Sequence, residues 1–218
     1  MHSWTESSRL INDLETEMCY QLSDRFFIGN PLNSKELHDE DLFIKIDFPS
    51  FERKVIQIAR TSEVQNNEVQ LSNYYKNILN KAGNYGKSYL LIHHYFWIRL
   101  WFWQTEKDAY ISFPWYDTID EIRNFFSAFK TKSTGDLFHD MDQNWEIEVA
   151  ADNDYYYIKQ TDPGQAGLLI ENLKIEKKRM EMNIQNLEDR IDNQIKLLTG
   201  YVGIDLWSNR EYLYEDVQ

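Results

Sequence analysis

Residues 144–164 read NWEIEVAADNDYYYIKQTDPG. Over 144–150 the apolar Trp145, Ile147 and Val149 alternate with Glu146 and Glu148, the period of a strand with one buried face. Residues 155–160 (YYYIKQ) form a second aromatic, β-branched run. Between them, Ala151-Asp152-Asn153-Asp154 has the composition of a hairpin loop. Asp162-Pro163-Gly164 closes the unit with turn-forming residues. Strands joined by so short a loop pair antiparallel. This reading sets the fold class: α+β, a mostly antiparallel sheet packed by helices.

Upstream, residues 42–48 (LFIKIDF) are expected to be a strand, 52–60 (ERKVIQIAR) a second strand with a helix as the alternative, and 61–70 a polar loop. A helix is expected over 71–82, stopped by Gly83 and Gly86. Residues 109–115 (AYISFPW) are expected to be a strand, and 118–131 a helix with Ile119, Ile122, Phe125, Phe126 and Phe129 on its apolar face. Leu10, Ile11, Leu14, Met18 and Leu22 recur at helical spacing and predict a first helix over 5–27, with Cys19 a small apolar residue on it. Residues 28–41 follow as a connection containing Gly29, Asn30 and Pro31.

Downstream, Ile170, Leu173, Met180, Ile184, Leu187, Ile191 and Leu198 fall on alternating three- and four-residue steps, with Lys177 and Gln194 as polar interruptions. This heptad seam predicts a long C-terminal helix over 168–199. Ile195 and Leu197 widen the stripe. The helix is expected to pack on its own domain, or to pair with a second copy as a homodimer. The domain organisation expected is an α+β domain over 1–167, the helix over 168–200, and an acidic aromatic tail over 201–218 with Trp207, Tyr212 and Tyr214.

The stretch 88–104, SYLLIHHYFWIRLWFWQ, is too long for one ordinary strand, so a bend near His93-His94 is expected. At period two, Phe96, Ile98, Leu100 and Phe102 form a wholly apolar face that should meet the core. Tyr95, Trp97, Arg99, Trp101 and Trp103 form the other face. Trp, Tyr and Arg dominate protein interfaces, so Trp97, Arg99, Trp101 and Trp103 are the candidate partner anchors, the alternative being burial under helices.

The chain has 218 residues, a net charge of −13 and one cysteine. No disulfide framework or cysteine-based zinc site fits within one chain. Cys19 alone, with neither a basic cluster nor an apolar run in MHSWTESSRLINDLE, suits a reducing cytoplasmic setting. Residues 89–103 contain His93, His94 and Arg99 and are too short to span a bilayer, so no membrane role is expected. The acidic balance opposes nucleic-acid binding. Residues 1–50 and 118–167 each carry a net −6, while 51–117 carry +2. These acidic blocks suit steering of a basic protein partner, with Asp140 and Asp142 as candidate steering charges.

The segment 136–148 offers Asp140, Asp142, Asn144, Glu146 and Glu148. It is not a calcium loop of the EF-hand type: Trp145 stands where the turn needs Gly, and Ala151 where a bidentate Glu is needed. His93 and His94 point to opposite faces if extended, and His2, His38 and His139 lack ligand-like spacing to them. No catalytic residue, metal ligand or cofactor is therefore assigned. A hydrolase using the 136–148 carboxylates is the minor alternative.

The segment 137–167, LFHDMDQNWEIEVAADNDYYYIKQTDPGQAG, is similar to a bacterial pattern in which a D-Q-x-W strand, a hairpin and a D-P turn precede a long helix; the matching residues are Asp142, Gln143, Trp145, Asp162 and Pro163. The order of elements resembles the type III secretion chaperone-like fold of secretion chaperones and bacterial conflict-system proteins. That resemblance implies an acidic, non-enzymatic module of chaperone or toxin-immunity type that grips a partner.

Overall fold

The computed structural model describes residues 2–29, 42–106, 108–131 and 133–208. Most of the 28–41 connection and, in the C-terminal tail, Tyr212 and Tyr214 lie outside the described residues. The chain is α+β, with antiparallel-rich sheets and a long C-terminal helix. It divides into two compact units: Met1–Met18 with Arg99–Arg190, and Cys19–Ile98 with Ile191–Gln218. No helix among the described residues is long and apolar enough to cross a membrane.

The first unit is built on a sheet of five strands: β1 (Arg9–Leu10), β8 (Gly135–Asp142), β9 (Trp145–Ala151), β10 (Tyr155–Asp162) and β11 (Leu168–Glu176). Their order across the sheet is β1-β11-β10-β9-β8. The last four in sequence form an antiparallel meander, and β1 adds in parallel to β11. The hairpin read from 144–164 is present. Its loop is held by Asp152, whose carboxylate accepts from the Asp154 and Tyr155 amides at 2.8 and 2.7 Å. At the closing turn, Gly164 lets the Asn144 side-chain amide approach the backbone closely; a Cβ there would require that amide to move.

Alternation then sorts the side chains. Phe138, Val149, Ile158 and Leu173 lie opposite one another across four strands. On this face Phe138 meets α5 (Ile119–Thr131), and Tyr156 reaches α6 (Lys177–Val202). Phe125 packs edge-on against Phe138 at 5.1 Å, and Phe129 against Tyr156 at 4.9 Å. The Tyr156 hydroxyl donates to the Phe129 carbonyl and to Glu181.

Two exposed strand edges in this unit are sealed by side chains. β7 (Ala109–Phe113) pairs with β6 (Ile98–Gln104) on one side. On its other side the Tyr110 and Ser112 amides donate to Glu171 and Gln160, and the Trp145 indole donates to the Ser112 carbonyl at 2.9 Å. Along residues 12–16, the carbonyls of Asn12, Leu14 and Thr16 accept from Arg179, Asn183 and Arg190 of α6. Alternate carbonyls point one way along an extended chain, and one helix face meets all three. Leaving such groups unpaired would cost about 1–3 kcal/mol each where buried.

The second unit holds α3 (Glu68–Asn84), the β3 (Arg25–Phe27) and β4 (Phe43–Lys45) hairpin, and the end of β2 (Glu15–Gln21) paired antiparallel with β5 (Ile58–Arg60). Leu71, Tyr74, Tyr75 and Ile78 of α3 are buried, as are Ile191, Gln194, Ile195 and Leu198 of α6. Trp207 is fully buried, edge-on to Tyr20 and to Tyr75.

Several expectations are corrected. Of the strand expected over 52–60, only β5 at Ile58–Arg60 forms, with Val55 in an isolated bridge to Ile58. The predicted helix over 5–27 is instead α1 (Ser3–Glu6), β1, β2 and β3. Nearly every residue of β2 is buried. Its sequence alternates Glu15, Glu17 and Gln21 with Thr16, Met18 and Tyr20, a strand period that the helical spacing of Leu10, Ile11, Leu14, Met18 and Leu22 across the wider segment obscured. Residues 61–70 are not a loop but α2 (Thr61–Val64) and the start of α3, with Glu63 accepting from the Arg60 and Lys54 amides at the first turn. Only 98–104 of the aromatic run is a strand; α4 (Tyr89–Ile92) and a 3-10 turn over His93–Phe96 precede it, the bend falling where it was expected. Finally, 168–176 is β11, and the helix starts at Lys177. Ala166 and Gly167 turn the chain back through left-handed backbone conformations, so it pairs with β10 before the helix begins.

The seam residues Met180, Ile184, Leu187, Ile191 and Leu198 are buried within the chain itself, so they are not presented to a second copy. Gln194 is buried with them.

Candidate functional site

The aromatic strand delivers one face as expected: Phe96, Ile98, Leu100 and Phe102 are fully buried. On the other side, Arg99, Trp101 and Trp103 of β6 are half-buried. Trp101 meets Tyr110 of β7 edge-on at 5.6 Å and Trp103 at 6.5 Å. Arg99 forms an ion pair with Asp117. Trp97 belongs to the second unit, where His93 and His94 stand edge-on to it at 5.8 and 6.3 Å.

The acidic segment is split by strand alternation. Asp140 lies opposite Ile147, on the core side of β8, and accepts a 3.0 Å hydrogen bond from the Tyr116 hydroxyl. Burial and that bond push the Tyr116 phenol far above its usual range. Asp142 is exposed at the β8–β9 turn. Glu146 and Glu148 project to the opposite face, as do their cross-strand neighbours Met141 and His139. The carboxylates of 136–148 are therefore not one cluster.

That opposite face holds the arrangement that sequence reasoning missed. One cross-strand row is Met141, Glu146, Thr161 and Leu169; the next is His139, Glu148, Lys159 and Asn172. Glu146 accepts from the Thr161 hydroxyl at 2.6 Å and is bridged to His139 at 3.0 Å. These bonds, Thr161's first, hold the Glu146 carboxyl below its ordinary value. Glu148 pairs with Lys159. Burial alone would raise Asp152, yet hydrogen bonds from the Tyr157 hydroxyl and two amides outweigh it and lower its pKa. Met141 and Leu169 are 59% and 53% exposed, an apolar rim at both ends of the Glu146 row.

Residues 2–8 lie over part of this face. His2 bridges to Asp136 at 2.6 Å. Trp4 stands edge-on to Tyr157, and the Lys159 ammonium lies 5.4 Å from its ring centroid. Asn172 donates to the Trp4 carbonyl and accepts from the Ser8 hydroxyl at 2.7 Å. Cavities of about 630 Å³ and about 540 Å³ open on either side, and both are lined by His2, Asp136 and Ala150. Asp152 and Tyr157 line the first; Trp4, His139, Glu146 and Glu148 line the second.

Chemically, the face is an ionised, acidic trough with aromatic walls. Glu146 sits between a hydroxyl and an imidazole. Among the described residues no group of three His, Cys, Asp or Glu side chains is placed to hold a metal ion. The alternation of 145–149 signalled that one face was polar. The register that aligns 139, 148 and 159, and the seating of residues 2–8, had no local signal.

Comparison with protein-family models, with curated proteins and with solved structures finds no match in any of the three.

Proposed function

We propose that the protein is a non-enzymatic, acidic binding module of chaperone or toxin-immunity type, acting in the cytoplasm, that grips a basic protein partner on the trough face of its five-stranded sheet. The observation that carries this reading is where the charge lies. The first unit has 22 Asp and Glu against 12 Lys and Arg, a net −10 of the chain's −13. On the trough face Glu146 is held ionised chiefly by the Thr161 hydroxyl and the His139 imidazole, with the Lys159 ammonium contributing less. A carboxylate supported in this way keeps its field available to an incoming cation. The half-buried Trp101 and Trp103 rings supply further apolar area of the kind interfaces use. Asp142 contributes long-range attraction. Arg99 and Asp140 are engaged by Asp117 and Tyr116, which suits holding the surface in shape.

The test is affinity capture from the native host, followed by measurement of the purified pair at 50 and 300 mM salt. A stoichiometric basic partner should bind about tenfold or more weakly at high salt, because exposed charges are screened beyond roughly 8–10 Å. Glu146→Gln with Glu148→Gln should flatten that dependence, while Asp120→Asn with Glu121→Gln on α5 should not. A salt-insensitive partner, or none, refutes the proposal.

A further inference from the structure

Residues 2–8 are attached to the sheet in a different way from the residues after them. From Arg9 the backbone is part of the sheet: Arg9 and Leu10 pair with Leu173 and Lys174, and the Ile11 amide donates to the Lys174 carbonyl at 2.9 Å. Ile11 and Leu14 are buried in the core. Before Arg9, backbone-to-backbone hydrogen bonds run within the segment itself, Thr5 to His2 and Ser8 to Thr5, and the one backbone group bonded to the sheet among those described is the Trp4 carbonyl, which accepts from the Asn172 side chain. Side chains make the attachment to the sheet: His2 to Asp136, Trp4 against Tyr157 and Lys159, and Ser7 and Ser8 to Asn172. The outermost of these is exposed, with His2 and Asp136 side chains at 47% and 74%. Trp4 also buries its indole N–H without a hydrogen-bond partner. Water would satisfy that group on release, which lowers the cost of opening. A segment held through side chains opens more readily than paired strands do.

The segment also divides the trough. The two cavities meet at the His2–Asp136 bridge. Lifting residues 2–8 would join them into one channel running from Asp152 past Asp136 to Glu148 and Glu146, floored by Ala150. His2 and Trp4 occupy the carboxylate and the aromatic wall that a basic chain would use.

We propose that residues 2–8 are a releasable strap, hinged at Ser8–Arg9, that competes with the basic partner for the trough. This rests on the partner reading above, and it sets the regulation of that site. With the strap closed, apparent affinity is the intrinsic affinity multiplied by the open fraction.

The experiment uses the full chain and a synthetic peptide of alternating arginine and leucine. Trp4→Ala should bind the peptide about tenfold or more tightly than the wild type, and Trp4→Phe should fall between. Circular dichroism confirms that both variants fold. Equal or weaker binding by Trp4→Ala overturns the strap. In parallel, the chain is labelled with 5-fluorotryptophan, and Trp4→Phe identifies the Trp4 fluorine signal. That signal should exchange with a solvent-exposed state whose population rises in His2→Ala. A single buried signal, unchanged by His2→Ala, also overturns it. If neither protein binds the peptide while this exchange is seen, the partner reading fails and the strap stands.

Discussion

Replacing Gln194 by leucine restores the apolar residue that the heptad seam of α6 lacks, and it should nonetheless destabilise the protein. The Gln194 amide donates to the Thr61 carbonyl at 2.6 Å and accepts from the Tyr20 hydroxyl at 3.2 Å, with Gln194 and Tyr20 both buried. Burial pushes the Tyr20 phenol far above its usual range, so it remains a donor at any working pH. In Gln194→Leu that donor loses its acceptor, at about 1–3 kcal/mol, and the Thr61 carbonyl loses a hydrogen bond of about 1 kcal/mol. The added apolar burial returns about 1 kcal/mol, leaving a net loss of about 2 kcal/mol. Tyr20→Phe removes the orphaned hydroxyl, so the double variant should recover about 1 kcal/mol relative to additivity. Urea unfolding followed by tryptophan fluorescence measures all four proteins, with the slope expected to stay constant. A Gln194→Leu protein as stable as the wild type, or strictly additive costs, would refute this account of the buried network.

Other outcomes follow from the same geometry. Trp145→Phe removes the indole donor to the Ser112 carbonyl and should cost about 1–2 kcal/mol in the same unfolding assay. Ile184→Ala empties a buried seam position and should cost about 2–5 kcal/mol, whereas Leu197→Ala, at 42% exposure, should stay within about 0.5 kcal/mol. Because the folded state lowers the Glu146 pKa, chiefly through the Thr161 hydroxyl and then His139, that bond's stabilisation is present above the unfolded glutamate value of about 4.3–4.5 and is lost as pH falls through the folded value. In Thr161→Val, carboxyl-carbon NMR should show the Glu146 midpoint moving up, and an unmoved midpoint would contradict the assignment.

How much was legible can be read element by element. The hairpin at 144–164 and the helix over 118–131 were visible because their side chains alternate or recur against a single core, and their turn residues are local. β11 was not visible, because Leu168 to Glu176 carries apolar residues that also fit the extension of the seam of α6. Only pairing with β10 and the reversal at Ala166–Gly167 distinguish the two. β2 was misread because Leu10, Ile11, Leu14, Met18 and Leu22 also fit a helical spacing, which outweighed the period-two alternation of Glu15, Glu17 and Gln21 with Thr16, Met18 and Tyr20. For the candidate site, Glu146 and Glu148 were seen as acidic residues. Their separation from Asp140 and Asp142 follows from alternation once 135–142 is known to be a strand, and that in turn depends on its pairing with β9.

By itself, the sequence determined the α+β class, the net acidity, the 144–164 hairpin, the buried Phe96–Phe102 face and the apolar positions of α6, because each is fixed by composition or by a period within one element. The tertiary structure alone decided that α6 spends its seam inside the chain, that side chains of α6 and of the large sheet seal strand edges far away in sequence, and that residues 2–8 lie across a trough lined by Asp136, Glu146 and Glu148. Those outcomes depend on register and on contacts between residues 33 to 169 positions apart, and no local period records either.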